Sequence, residues 1–243
     1  LLRSPELNQR GLKKLRLNLS REVFRKAVSI STPMAFERVV MCGAQVFSTA
    51  IVAPLGTIAI AANSFGITIE SLCYMPGYGV AEAATTLTGQ TLGAKRMDLT
   101  RSFTNIVIGM GIGVMTFMGF LMYTFAPEMM TIVTPHQDII ALGTQVLRIE
   151  AFAEPMFAAS IVAYSIFVGA GKTVISSTTN FTCIWLVRLS LAWKLAPQYG
   201  LVGVWIAMAI ELCARGIVFL THIYRWKWLP ARQAASPTGE NKG

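Results

Sequence analysis

Between Ser102 and Ala126 the chain reads SFTNIVIGMGIGVMTFMGFLMYTFA, an apolar run without a single charge. A helix rises 1.5 Å per residue, so this run would extend about 37 Å and cross the ~30 Å hydrocarbon core of a bilayer. A soluble domain of this size has no need of such a segment. Five further apolar stretches flank it, roughly Pro33 to Leu55, Ile58 to Val80, Ile149 to Gly169, Val174 to Ala196 and Leu201 to Tyr224. The 243 residues are 53% hydrophobic and only 14% charged, against about a quarter charged in soluble proteins. The expected fold is therefore an all-α integral membrane protein, a bundle of six transmembrane helices over residues 29–228. A basic linker (1–28) precedes it and a short polar tail (229–243) follows.

The net charge of +9 would fit nucleic-acid binding only if the basic residues shared a folded polar face. They lie instead at the ends of the spans. Arg3, Arg10, Lys13, Lys14, Arg16, Arg21, Arg25 and Lys26 precede the first span, Lys95, Arg96 and Arg101 follow the second, Lys172 follows the fourth, and Arg225, Lys227, Arg232 and Lys242 close the chain. The opposite side has Lys194 and the acids Glu128 and Asp138. The excess of Lys and Arg places both termini in the cytoplasm of a multi-pass cytoplasmic-membrane protein. No nucleic-acid partner is expected; the partner is the bilayer. Gly11 to Lys26 carries Leu12, Leu15, Leu19 and Val23 at helical spacing and predicts a surface helix. Pro127 to Leu147 predicts a second interfacial helix on the outer side. The opening Leu1-Leu2-Arg3-Ser4 has neither methionine nor a signal peptide's apolar core, as expected for a chain cut within a basic loop.

Enzyme chemistry finds no footing. Cys42, Cys73, Cys183 and Cys213 are scattered through apolar runs, His136 and His222 are isolated, and H-E-x-x-H and G-x-S-x-G are absent, so neither metal nor cofactor is expected. Gly171-Lys172-Thr173 lacks the earlier glycine of a phosphate-binding loop, since position 166 is Ile166. Gly109 and Gly113, spaced G-x-x-x-G, predict a close helix contact.

A charge at the centre of a spanning helix costs about 2.5–3.5 kcal/mol on insertion scales, so one retained there lines a cavity or has a partner. Glu211 and Arg215, four residues apart, are expected to neutralise each other. Glu82 and Glu150, near the ends of their spans, are expected to reach water. Glu37, Glu70 and Glu154 are the candidate site, near Pro33, Pro76 and Pro155, where irregular helix would open room for water or a ligand. The run Met75-Pro76-Gly77-Tyr78-Gly79 is expected to kink or unwind the second span. A carboxylate so placed can hold a proton or an organic cation, with Arg188, and also Arg38, as charge partners.

The runs APLGTIAIAAN (53–63), IESLCYMPGYGV (69–80) and TGQTLGA (88–94) resemble the second lobe of multidrug and toxic compound extrusion (MATE) transporters. Thr134 to Asp138, Gly169 to Thr173, Trp185 to Arg188 and Gly200 to Met208 continue the resemblance in order and spacing, over about Ser29 to Trp228. It implies a twelve-helix antiporter of two six-helix lobes that exchanges H+ or Na+ for amphipathic, often cationic compounds. This chain would be the C-terminal lobe and its missing partner the N-terminal one. Three departures from the family pattern involve four positions. Many relatives have Arg and Asp where this chain has Val168 and Lys172, some have a glutamate at Met41, and sodium-binding members can have an aspartate at Phe157. The coupling carboxylate is thereby left open between the two lobes. A flippase of lipid-linked sugars would need a cavity rich in Arg and Lys, whereas six acids against three arginines lie in or near the spans. A non-transporting membrane subunit is the remaining alternative.

Overall fold

The computed structural model describes residues 21–225, all of them in helices and the short turns between them. The helices are α1 (Arg21–Val52), α2 (Thr57–Gly93), α3 (Met97–Val133), α4 (Gln137–Gly169), α5 (Thr173–Thr182) and α6 (Leu189–Tyr224). A 3-10 turn (Ala53–Leu55) joins α1 to α2, and a π-helical turn (Cys183–Arg188) carries α5 into α6 without a break. The apolar stretch Thr173–Tyr224 would be about 78 Å long if straight, more than twice the bilayer core. It folds back at Gly200, whose φ of 59° and ψ of −139° lie outside the helical region. Arg188 then meets Met208 at 2.9 Å, although a straight helix would set residues twenty apart about 30 Å from each other. Among the described residues, five continuous apolar stretches thus make six crossings, and the protein is a multi-pass membrane protein.

The two turns on the basic side share one form. After α2, Arg96 N–H donates to Thr91 C=O and Lys95 N–H to Leu92 C=O; after α4, Lys172 N–H donates to Phe167 C=O and Gly171 N–H to Val168 C=O. This is the Schellman cap, which needs a left-handed residue past the helix end. Gly171 supplies it at φ 71°, and Lys95 supplies it at φ 56° against the side-chain penalty. The Gly171-Lys172-Thr173 run is thus a helix stop.

Helix α4 is the hub, packed against α2, α3 and α6. Lipid chains are as apolar as leucine, so helices in a bilayer gain by close approach of their backbones. A Cβ on Gly169 would lie 2.4 Å from the Thr85 carbonyl oxygen, and one on Gly216 2.5 Å from that of Met156. Trp205, Met115, Met122, Met130 and Leu147 fill the main core. A second cluster around Phe167, Phe219 and Ile223 closes the basic end. The outer surface is apolar, with Phe36, Phe117, Phe120, Phe152 and Trp193 more than half exposed, while acids lie inside.

Several sequence expectations change here. The segment Pro127 to Leu147 is not a separate interfacial helix: α3 continues through Pro127 to Val133, three residues turn, and α4 begins at Gln137. Proline deprives the carbonyl of Tyr123 of its helical donor, and Arg148 Nε–H donates to that oxygen at 3.4 Å with its guanidinium 5.4 Å from the Tyr123 ring centre. Helix α2 runs unbroken through Pro76. Gly77 is a contact site, where a Cβ would lie 2.6 Å from Met115 Sδ. Gly109 and Gly113 meet nothing within 4 Å in this chain; Gly111 makes the contact, a Cβ there falling 2.7 Å from Val162. The predicted surface helix over Gly11 to Lys26 lies outside the described residues up to position 20, and from Arg21 the chain is already in α1.

Candidate functional site

The structure separates the predicted acids into two groups. Glu70 from α2 and Glu154 from α4 come together, joined by Glu150 one turn earlier on α4 and Glu211 from α6. All four are buried, with at most 6% of their surface exposed. Glu150 is within electrostatic reach of Glu70, Glu154, Glu211 and Arg188, and Glu70 of Arg188. The carboxyl oxygens of Glu150 and Glu154 have no hydrogen-bond partner among the described residues. Like-charged side chains four apart on a helix repel one another, and burial removes the water that would screen them. Four buried carboxyls against two arginines, Arg188 and Arg215, leave an acid excess in this part of the bundle.

Glu211 and Arg215 form the expected pair, Nε to Oε1 3.1 Å, on one face of α6. Arg188 sits at the end of the π-helical turn, where the widened helix carries its guanidinium to Met208 Sδ, and its Nε has no hydrogen-bond partner among the described residues. Of the deep acids, Glu70 and Glu150 are within its electrostatic reach, though not in contact. Glu82 is exposed, as expected; Glu150 is not, being 1% exposed. The correction follows from helix geometry: Glu150 and Glu154 share a face of α4, so burial of one carries the other. That spacing was the available signal.

Glu37 stands apart from these acids. Its Oε2 accepts hydrogen bonds from Tyr164 (3.1 Å) and Ser177, and its Oε1 accepts one from Asn180 Nδ2 (2.8 Å). A cavity of about 280 Å³ opens beside it, bordered by Arg38, Tyr78, Glu82, Tyr164 and Arg215. Tyr164, Ser177 and Asn180 were not legible as site residues, because they come from α4 and α5, more than a hundred positions away. The room arises between helices and not at proline breaks, since α2 and α4 run through Pro76 and Pro155. Phe157 borders the cavity and meets both Tyr74, edge to face at 5.7 Å, and the Arg215 guanidinium at 5.7 Å. Phe157 thus gives the cavity an aromatic wall. Among the described residues no group of His, Cys, Asp or Glu is arranged to hold a metal ion.

A family model described as MatE matches residues 33–194. The probable multidrug resistance protein NorM of Thermotoga maritima is 24% identical over 222 residues, covering 90% of this chain and 47% of that protein. The uncharacterized transporter YisQ of Bacillus subtilis is 24% identical over 221 residues, covering 89% of this chain and 47% of that protein. The crystal structure of the Vibrio cholerae MATE transporter VcmN in the bent form superposes with a TM-score of 0.82 at 19% identity, over 91% of this chain and 51% of that one. The chain spans about half the length of the curated relatives it matches.

Proposed function

The chain belongs to the MatE family, and from that premise we propose that it forms the C-terminal lobe of an ion-coupled antiporter. The antiporter exports amphipathic or cationic drugs and metabolites across the cytoplasmic membrane by alternating access against an N-terminal lobe. The observation that carries the reading is the buried Glu70, Glu150, Glu154 and Glu211 group in a lobe whose outside is apolar. Ionisable groups inside a membrane bundle, facing one another and short of counter-charge, are suited to exchanging a proton or Na+ as the lobe changes shape. Glu154 and Glu70 are the coupling acids, Arg188 their tethered counter-charge, and Glu37 an acid of the substrate cavity.

The test is ethidium efflux from cells expressing the protein from its native gene. Glu154→Gln is expected to lower efflux at least tenfold and to flatten its dependence on external pH or Na+. Glu37→Gln is expected to raise the substrate concentration for half-maximal efflux while leaving that dependence in place. Wild-type efflux and ion dependence in both variants would refute the assignment. Varying Na+ at fixed pH then identifies the coupling ion.

A further inference from the structure

The Glu37 cavity differs from the deep acid group in its charge balance. Two acids, Glu37 and Glu82, and two arginines, Arg38 and Arg215, border one space of about 280 Å³, with the rings of Tyr78 and Tyr164 beside them. The space is large enough to admit a compact polar head group. A second groove, of about 330 Å³, adjoins it. This groove is walled by Phe36, Val40, Val174 and Phe181, and it shares Glu37 and Met41 with the cavity. A mixed-charge pocket therefore continues into an apolar slot between α1 and α5.

We propose that the cavity and groove together bind an amphiphile with a compact zwitterionic head and a single apolar tail. The anionic group lies toward Arg38 and the cationic group toward Glu82 and the faces of Tyr78 and Tyr164; the tail occupies the groove. Charge complementarity selects this occupant. A purely cationic head meets the Arg38 guanidinium, since Arg215 is already paired with Glu211, and a purely anionic head meets two carboxylates, each a repulsive pairing in a confined space. The Glu37 carboxylate, already accepting from Tyr164, Ser177 and Asn180, is held as part of the wall and oriented where head meets tail. As a statement about what is exported, this rests on the antiporter reading; as a statement about binding, it stands on the cavity alone.

The experiment compares three probes with the same twelve-carbon tail below their micelle-forming concentrations: dodecyl dimethylglycine betaine, dodecyltrimethylammonium and dodecanoate. Binding to the protein, expressed from its native gene and held in nanodiscs, is measured by titration calorimetry with empty nanodiscs subtracted. The betaine is expected to bind at least tenfold more tightly than either single-charge probe. Arg38→Gln is expected to remove most of that preference by weakening the betaine while sparing dodecyltrimethylammonium, and Glu82→Gln to weaken the betaine while sparing dodecanoate. Val174→Trp, which fills the groove and leaves the charges alone, is expected to abolish the betaine signal. Dodecyltrimethylammonium binding within threefold of the betaine, or a preference unchanged in Arg38→Gln, overturns the proposal. Loss of ethidium efflux has no bearing on these affinities, so failure of the antiporter reading is seen separately.

Discussion

Replacing Arg215 tests whether the inside of this lobe is electrostatically tuned or merely tolerant of charge. Arg215 Nε lies 3.1 Å from Glu211 Oε1, and the two side chains are 9% and 0% exposed. At an effective dielectric constant of about 20, two unit charges at that distance attract by about 5 kcal/mol. Removing one partner of a buried pair costs about 3–5 kcal/mol, because the other is left uncompensated. Arg215→Gln leaves Glu211 facing Glu150, so the full range is expected. Glu211→Gln is milder, about 1–2 kcal/mol: it relieves the repulsion with Glu150, and Arg215 keeps the Phe157 ring and the cavity beside it. The double variant should fall near Glu211→Gln alone, giving a coupling energy of a few kcal/mol in a double-mutant cycle. The assay is reversible unfolding in mixed micelles, followed by tryptophan fluorescence. Equal losses in the two single variants, or a double variant as unstable as Arg215→Gln, would refute the reasoning.

Further outcomes follow from the backbone and packing. Gly111→Ala is expected to cost about 1–3 kcal/mol by driving a methyl into Val162, while Gly109→Ala and Gly113→Ala stay within about 0.5 kcal/mol of the parent, as read by the same unfolding measurement. Gly200→Ala should cost about 1–3 kcal/mol, because φ 59° with ψ −139° is essentially a glycine conformation. Lys95→Gly should stabilise by about 1 kcal/mol, by relieving a left-handed residue whose counterpart in the other turn is already Gly171. Trp205 Nε1–H donates to Asn63 Oδ1 at 3.0 Å, so Asn63→Leu is expected to cost about 1–3 kcal/mol and to shift the tryptophan emission.

Element type and number were legible because a bilayer imposes one rule on every span: enough apolar residues to cross, with the backbone paired within the helix. The six crossings, the Glu211–Arg215 pair and the exposure of Glu82 follow from that rule and from helical spacing. Interruptions were read less well. Pro76, Pro127 and Pro155 all sit within continuous helices. Neighbouring side chains can absorb what proline removes, as Arg148 does for Tyr123, and no local rule says whether such a neighbour is present.

Composition and periodicity alone determined that this is a bundle of spanning helices holding acids and arginines at membrane depth. They could not say which acids meet. Glu70 lies eighty positions from Glu150, and Glu37 lies 143 from Asn180. Only the packing of α4 against α2 and α6 gathers four carboxyls, and only the approach of α1 to α4 and α5 gives Glu37 three donors. The cost of an unpaired charge in an apolar medium makes each such meeting consequential, yet it depends on helix rotation and crossing, which residue spacing along one helix does not encode.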